Sequence, residues 1–333
     1  MMEFKFLHIL AFLSLGIVVS HATLNLASEN YWNSVLPNSA MPKAVKDLLQ
    51  PPPAAELGKT GATTMSGGGK GVVTMGSGIE KGKRESVLIN LPAPIFYRNP
   101  PGENQLQDDH DPNAALFFME KDLYPGKLMK LNFSKNGNWA PFLTRHDADS
   151  VPFSSDKLPE ILRAFSVDPS SDEAQVMKKT IQGCEQNQSV KGEEKLCATS
   201  LESMIDFATS KLGKDVDAIS TTAVETVTDN LRRYRLVRVK QMPPGKPVVA
   251  CHLQEFAYAV FYCHKMEMQS TVGYKVWMVA GEGSQVEAVA VCHRDTAAWS
   301  SMHLAFQVLK VKPGGAPVCH FLPVDHVLWV SKN

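Results

Sequence analysis

The sequence carries no excess of charge of either sign. Lysine plus arginine number 34 and aspartate plus glutamate number 34. That balance excludes a global basic field for nucleic acid or anionic lipid. Cysteine is missing from the first 183 residues, so any covalent bracing belongs to the C-terminal part. No apolar run after residue 22 resembles a membrane span. No GxSxG, HExxH or glycine-rich phosphate loop occurs, and Ser, His and Asp form no triad motif. Nucleic-acid partners, and a membrane partner once the leader is cleaved, are therefore not expected.

The start of the chain points to the compartment. Lys5 precedes the apolar run "FLHILAFLSLGIVVS", and the small-residue stretch "SHA" closes it. Charged start, short apolar middle and small-residue exit read as a secretory signal over residues 1–22, cleaved near Ala22. The run is short for a membrane anchor. The sequons at Asn132 and Asn187 are candidate glycosylation sites that suit secretion. Outside the cytosol, thiols tend to be paired. The six cysteines then form three disulfides among fifteen possible connectivities.

Composition divides the rest. Residues 23–50 form a short segment with one expected helix, Pro42–Leu49, begun by proline in its first turn. Residues 51–113 are rich in Gly, Pro, Ser and Thr and read as a linker, too poor in apolar surface to offset its ordering entropy. One apolar island, "VLINLPAPIFY", interrupts it. From Ala114 to the end at residue 333 the chain reads as one folded domain.

Two strands are expected around the turn Pro125-Gly126. Two helices follow, with capping boxes expected at Ser170–Glu173 and Thr199–Glu202 and a stop at Gly213. Cys184 and Cys197 flank the loop between them, and pairing them is the simplest bridge. After about residue 230 the text becomes β-branched and aromatic, and eight stretches read as strands, "HLAFQVLKV" among them. The expected fold class is α+β: upstream helices, then a mostly antiparallel β C-terminal half.

Four of the six cysteines stand directly before histidine: Cys251-His252, Cys263-His264, Cys292-His293 and Cys319-His320. All four pairs lie in strand-like text. Neighbouring side chains on a strand point to opposite faces, so sulfurs can staple one face while imidazoles gather on the other. Twelve straight strand steps cover roughly 40 Å, whereas bridged Cα atoms stand roughly 4.4–6.8 Å apart. "LQEFAYAVFY" contains no Gly, Pro or Asn to turn it. Cys251 and Cys263 are therefore expected to pair downstream, with Cys292 or Cys319. By the same distances, His252 and His264 share one metal only if the strand bends sharply; otherwise there are two metal positions.

Three readings of the pairs stay open: disulfides with merely structural histidines, a histidine metal site favouring copper(II), and a Cys-plus-His zinc site. His303 and His326 read as satisfied structural histidines.

The four Cys-His pairs, followed by "DHVLWV", resemble the plant BURP domain. So do "ALFFMEKDLYPGK", "VPFSSDKLPEIL", "GEEKLCATSLESMIDFATSKLG" and "PVCHFLPVDHVLWV". The resemblance covers Ala114 to Val330. "YWNSVLPNSAMPKAVKDLLQP" is similar to the dehydration-responsive subgroup, and "GGGKGVVTMGSG" echoes its repeats. The resemblance implies an apoplastic or cell-wall protein linked to drought, salt and abscisic-acid responses. Its implied partners are expansin-like wall-modifying proteins or pectic polysaccharide. It also implies an alternative, a copper-dependent peptide cyclase acting on its own core segment. The family's metal-binding histidines would carry over to His252, His264, His293 and His320. The core segment would be "LPAPIFYRNPP", with Tyr97 as the phenol and Ile95 as its carbon partner. Trp32 lies in the subgroup's ordinary "YW" segment and separates neither reading.

Overall fold

Strands dominate wherever valine, tyrosine and phenylalanine crowd the C-terminal half, and they sort into two antiparallel sheets. The computed structural model describes residues 26–49, 62–63, 75–76, 117–131, 133, 141–186, 194–223, 232–243, 245–265 and 271–332. The expected signal segment, nearly all of the linker with Tyr97 and Ile95, and the sequons at Asn132 and Asn187 lie outside the described residues.

Two helices precede the domain, α1 (residues 26–35) and α2 (Lys43–Leu49). Only the second was expected. Strands β1 (Phe117–Met119) and β2 (Leu128–Leu131) flank the Pro125-Gly126 turn, where Gly126 takes φ +97°. Helices α3 (Arg145–Ser150), α4 (Leu158–Ala164) and α5 (Asp172–Glu185) follow, then β3 (Glu194–Ala198) and α6 (Leu201–Leu212). The remaining strands are β4 (Val216–Ile219), β5 (Thr222–Ala223), β6 (Arg232–Gln241), β7 (Val248–Gln254), β8 (Val260–Lys265), β9 (Thr271–Ala280) and β10 (Gln285–His293). Helix α7 (Leu304–Leu309) and strands β11 (Val318–Phe321) and β12 (Val327–Ser331) complete the chain.

The five-stranded sheet runs β3-β8-β7-β12-β4, and the seven-stranded sheet runs β1-β11-β10-β9-β6-β2 with β5 on β10. Helix α6 lays Leu201, Met204, Ile205 and Ala208 on the outer face of the five-stranded sheet, together with α1 and α2. The inner faces meet through Val248, Ala250 and Leu328 on one sheet and Val289 and Val291 on the other. Gly273 sits at that contact: a Cβ there would meet the Met242 sulfur at 2.6 Å.

Several local expectations move by one residue or change type. Ser171, not Ser170, caps α5, because Ser170 bonds Asp168 instead. Ser200 caps α6 in a reciprocal box with Ser203, while Glu202 turns inward to accept from Ser28 at 2.9 Å. "HLAFQVLKV" is the helix α7, capped by His303 and ended by Lys310 at φ +54°. Its apolar contacts come from Leu304, Ala305, Phe306 and Leu309, a helical stripe rather than an alternation.

The largest departure is at "LQEFAYAVFY". β7 and β8 form an antiparallel hairpin, and Cys251 stands directly opposite Cys263. They are bridged, with Cα atoms 4.0 Å apart; Cys292 pairs with Cys319 and Cys184 with Cys197. The expected downstream pairing of Cys251 and Cys263 is therefore wrong. The turn needs no glycine or proline because outside groups hold it. The Ala259 amide donates to Pro141 O at 3.0 Å, and Thr180 donates to Glu255 O at 2.9 Å. Phe256, Ala257 and Tyr258 sink into a pocket that includes Ile161 of α4, Phe165 just after it and Met177 of α5.

Candidate metal centre between the sheets

Alternation along the strands places the four Cys-His pairs. Cys251 and Cys263 lie in the cluster beneath α6, on the outer face of the five-stranded sheet. Cys292 and Cys319 face each other across β10 and β11, in the cluster on the far side of the seven-stranded sheet. Each following histidine points the other way, into the space between the sheets. One strand position thus serves two purposes, a staple outside and an imidazole inside.

The rings converge. His252 Nε2 stands 3.2 Å from His264 Nε2, and His293 Nε2 stands 3.4 Å from His320 Nε2. The two pairs meet across the sheets, with the His252 and His320 ring centroids 6.0 Å apart. The sharp bend posed as the condition for sharing is thus present, as the β7–β8 hairpin. His326, expected to be merely structural, belongs to the group: its Nδ1 lies 3.0 Å from His252 Nδ1. It enters because Val327, the next residue, pairs with Cys251. No cysteine precedes His326, so the dipeptide pattern could not reveal it. His303 caps α7. Its Nδ1 accepts from the Ala305 amide at 3.2 Å, and its ring lies 4.6 Å from Trp299.

Burial decides the charge state. It is the first cause holding His252 and His293 well below the ordinary imidazole range, and neighbouring imidazoles add to it. Burial also pushes His320 down to about 4 and His326 to about 3. Neutral rings keep a lone pair on one nitrogen, the form that binds metal.

The donor set suits a metal that takes imidazole nitrogen. Two nitrogens each about 2.0–2.1 Å from a tetrahedral metal stand about 3.3 Å apart, close to both Nε2 pairs. Among the described residues, no three histidine, cysteine, aspartate or glutamate side chains form a ready-made cage. Holding three nitrogens at once would require rings to turn. A Cys-plus-His zinc site is not supported, because no cysteine is free.

A second polar junction lies beyond this centre. Arg294 Nε donates to both Glu120 carboxylate oxygens at 3.1 Å, and the Tyr274 hydroxyl donates to the same carboxylate. Burial alone would raise the Glu120 carboxyl, but these bonds and the guanidinium charge outweigh it and hold it below the ordinary range.

Residues 116–331 match the BURP domain. The chain belongs to the BURP-domain family. BURP domain-containing protein 3 of Oryza sativa subsp. japonica is 50% identical over 74% of this chain and 57% of its own length. BURP domain protein RD22 of Arabidopsis thaliana is 50% identical over 72% of this chain and 60% of its own. BURP domain-containing protein 5 of the same rice is 39% identical over 94% of this chain and 89% of its own. The match thus spans little more than half the length of the first two relatives. Every histidine of the centre and all three bridges fall within the matched BURP domain.

Proposed function

We propose that this BURP-domain protein is secreted to the apoplast and cell wall. There it serves the response to drought, salt and abscisic acid through contact with wall-modifying proteins of the expansin type. The observation that carries the secreted reading is the bracing: every cysteine is bridged, within a plant BURP domain. Cytosolic thiols are kept reduced, so this use of cysteine suits an oxidising compartment. The stress link rests on the N-terminal segment's likeness to the dehydration-responsive subgroup. A fluorescent fusion in plasmolysed plant cells should stay with the wall, and an expansin should co-purify with it. Retention inside the cell with reduced thiols would overturn the reading.

The convergence of imidazoles favours a second reading, copper-dependent modification of the chain's own segment around Tyr97. His252, His264, His293 and His320 would hold the ion. When bound, copper would supply a redox couple that zinc lacks. The protein's own part is to keep the rings buried and braced from behind by disulfides. Joining Tyr97 to a carbon of Ile95 removes two hydrogens, which dioxygen takes up as it is reduced. Air and copper should then lower the mass of the tryptic peptide holding Tyr97 by two hydrogens, and His264→Ala should abolish the change. An unchanged mass leaves the first reading alone.

A further inference from the structure

Two of the three disulfides are sealed inside the cores, and the third is not. Cys251, Cys263, Cys292 and Cys319 are each 0% exposed. Cys184 and Cys197 are only half-buried. A thiolate must reach a bridge sulfur to open it, so access separates the third bridge from the other two.

That bridge stands in line with the imidazole centre. Cys184 lies in the last turn of α5, and Cys197 lies on β3, the edge strand of the five-stranded sheet. Cys197 is directly opposite Tyr262 on β8, and Tyr262 is directly opposite His252 on β7. Opposite residues of antiparallel strands share a face, so this row carries the bridge and the imidazole on one side of the sheet. The Tyr262 ring centroid lies 5.4 Å from that of His264.

The other end of the bridge holds the β7–β8 turn. From α5, Thr180 donates to Glu255 O at 2.9 Å, and Met177 and Ile181 pack with Phe256, Ala257 and Tyr258. Cys197 packs against the same cluster. These turn residues join the strand of His252 to the strand of His264, whose Nε2 atoms stand 3.2 Å apart. Cys184–Cys197 is thus the one disulfide between α5 and the sheet whose hairpin α5 steadies.

We propose that the Cys184–Cys197 bridge is a reducible control site, opened by a dithiol reductant, and that opening it loosens the hairpin of His252 and His264. One thiolate of the reductant attacks a bridge sulfur and forms a mixed disulfide, which its second thiol then resolves. Two electrons and two protons end on Cys184 and Cys197, and the reductant leaves as a disulfide. α5 keeps its apolar packing but loses its tie to β3, so the turn opens locally more often. The two buried bridges stay closed and keep the sheets intact.

The test uses the full-length oxidised protein, free of metal, with dithiothreitol as probe. Timed alkylation followed by peptide mass should show Cys184 and Cys197 reduced about tenfold or more faster than the other four cysteines. With that bridge alone open, amide hydrogen exchange over residues 254–264 should quicken about tenfold, while β10 exchanges as before. Cys184→Ser/Cys197→Ser should show the same faster exchange with no reductant, and thermal melts show whether it is folded. Should that variant fail to fold, the selectively reduced parent decides alone. Reduction of all three bridges at one rate would overturn the site. Unchanged exchange over residues 254–264 in the selectively reduced protein would overturn the control and leave the bridge a plain staple. No metal enters the test, so neither result depends on copper binding.

Discussion

The Trp32 indole packs 5.5 Å from the Trp329 indole, joining the N-terminal segment to the last strand of the domain. Trp32 is 1% exposed, and its Nε1 donates to Ser39 O at 2.9 Å. Around it, Arg145 bonds Asp206 and lies over the Tyr31 ring. Leu36, Val45 and Leu48 share one core with Ile205, Phe261 and Val327. The segment before the linker is thus a working part of the five-stranded sheet's packing. Trp32→Ala should lower stability by about 3–5 kcal/mol, the usual cost of emptying a buried aromatic site. Urea unfolding would show it, and Trp32→Phe should recover part of the loss.

The Cys251–Cys263 bridge joins directly opposite residues of one hairpin. Its turn has no glycine or proline and depends on contacts with α4 and α5. The bridge closes a loop of a dozen residues, which predicts a stabilisation of about 3 kcal/mol. The double variant Cys251→Ala/Cys263→Ala should lose that amount, measured by denaturant unfolding under oxidising conditions. A smaller loss would mean that the helices alone hold the turn.

What could be read in advance follows from the range of each signal. Strands β6 to β10 are legible because alternation and β-branched content are local. The outward sulfurs and inward imidazoles follow from the same period of two. The β7–β8 turn is not legible, since its determinants, Pro141 and Thr180, lie far away in sequence. α7 is misread because Val308, β-branched but 45% exposed, imitates a strand residue. α1 escapes notice because its partners are on β12 and α6. His326 is hidden for a like reason: its place beside His252 depends on how β12 pairs with β7.

The Glu120 junction predicts a pH dependence. Its carboxyl sits below the ordinary value of 4.5 when folded, so the folded state favours the ionised form. The added stability is present above the ordinary carboxyl pKa and is lost as pH falls through the lower, folded value. Glu120→Gln should therefore be less stable than the parent at pH 7, by about 1 kcal/mol or less given that Arg294 is partly exposed. The gap should close in acid. Thermal melts of both proteins between pH 3 and 7 would reveal it, and a constant gap would remove the charge from the explanation.

His326 makes a sharper test of the metal reading. Its Nδ1 faces the Nδ1 of His252 at 3.0 Å, so with both rings neutral one nitrogen donates and the other accepts. If His252 offers Nε2 to a metal, its proton must sit on Nδ1, and His326 Nδ1 must accept it. The proton of His326 then occupies Nε2, on the side of Asp325, whose carboxylate oxygen lies 3.7 Å away. His326 is thus a positioning residue that fixes the tautomer of His252. Removing such a partner typically costs about 10–100-fold in metal affinity. His326→Ala should weaken copper(II) binding by that factor and change the nitrogen hyperfine pattern in its paramagnetic spectrum. His326→Asn, whose amide oxygen replaces Nδ1 as acceptor, should recover part of the affinity. His303→Ala should cost stability at the α7 cap by about 1 kcal/mol and leave copper affinity unchanged. Equal copper binding by the parent and His326→Ala would show that the His252–His326 contact serves packing alone.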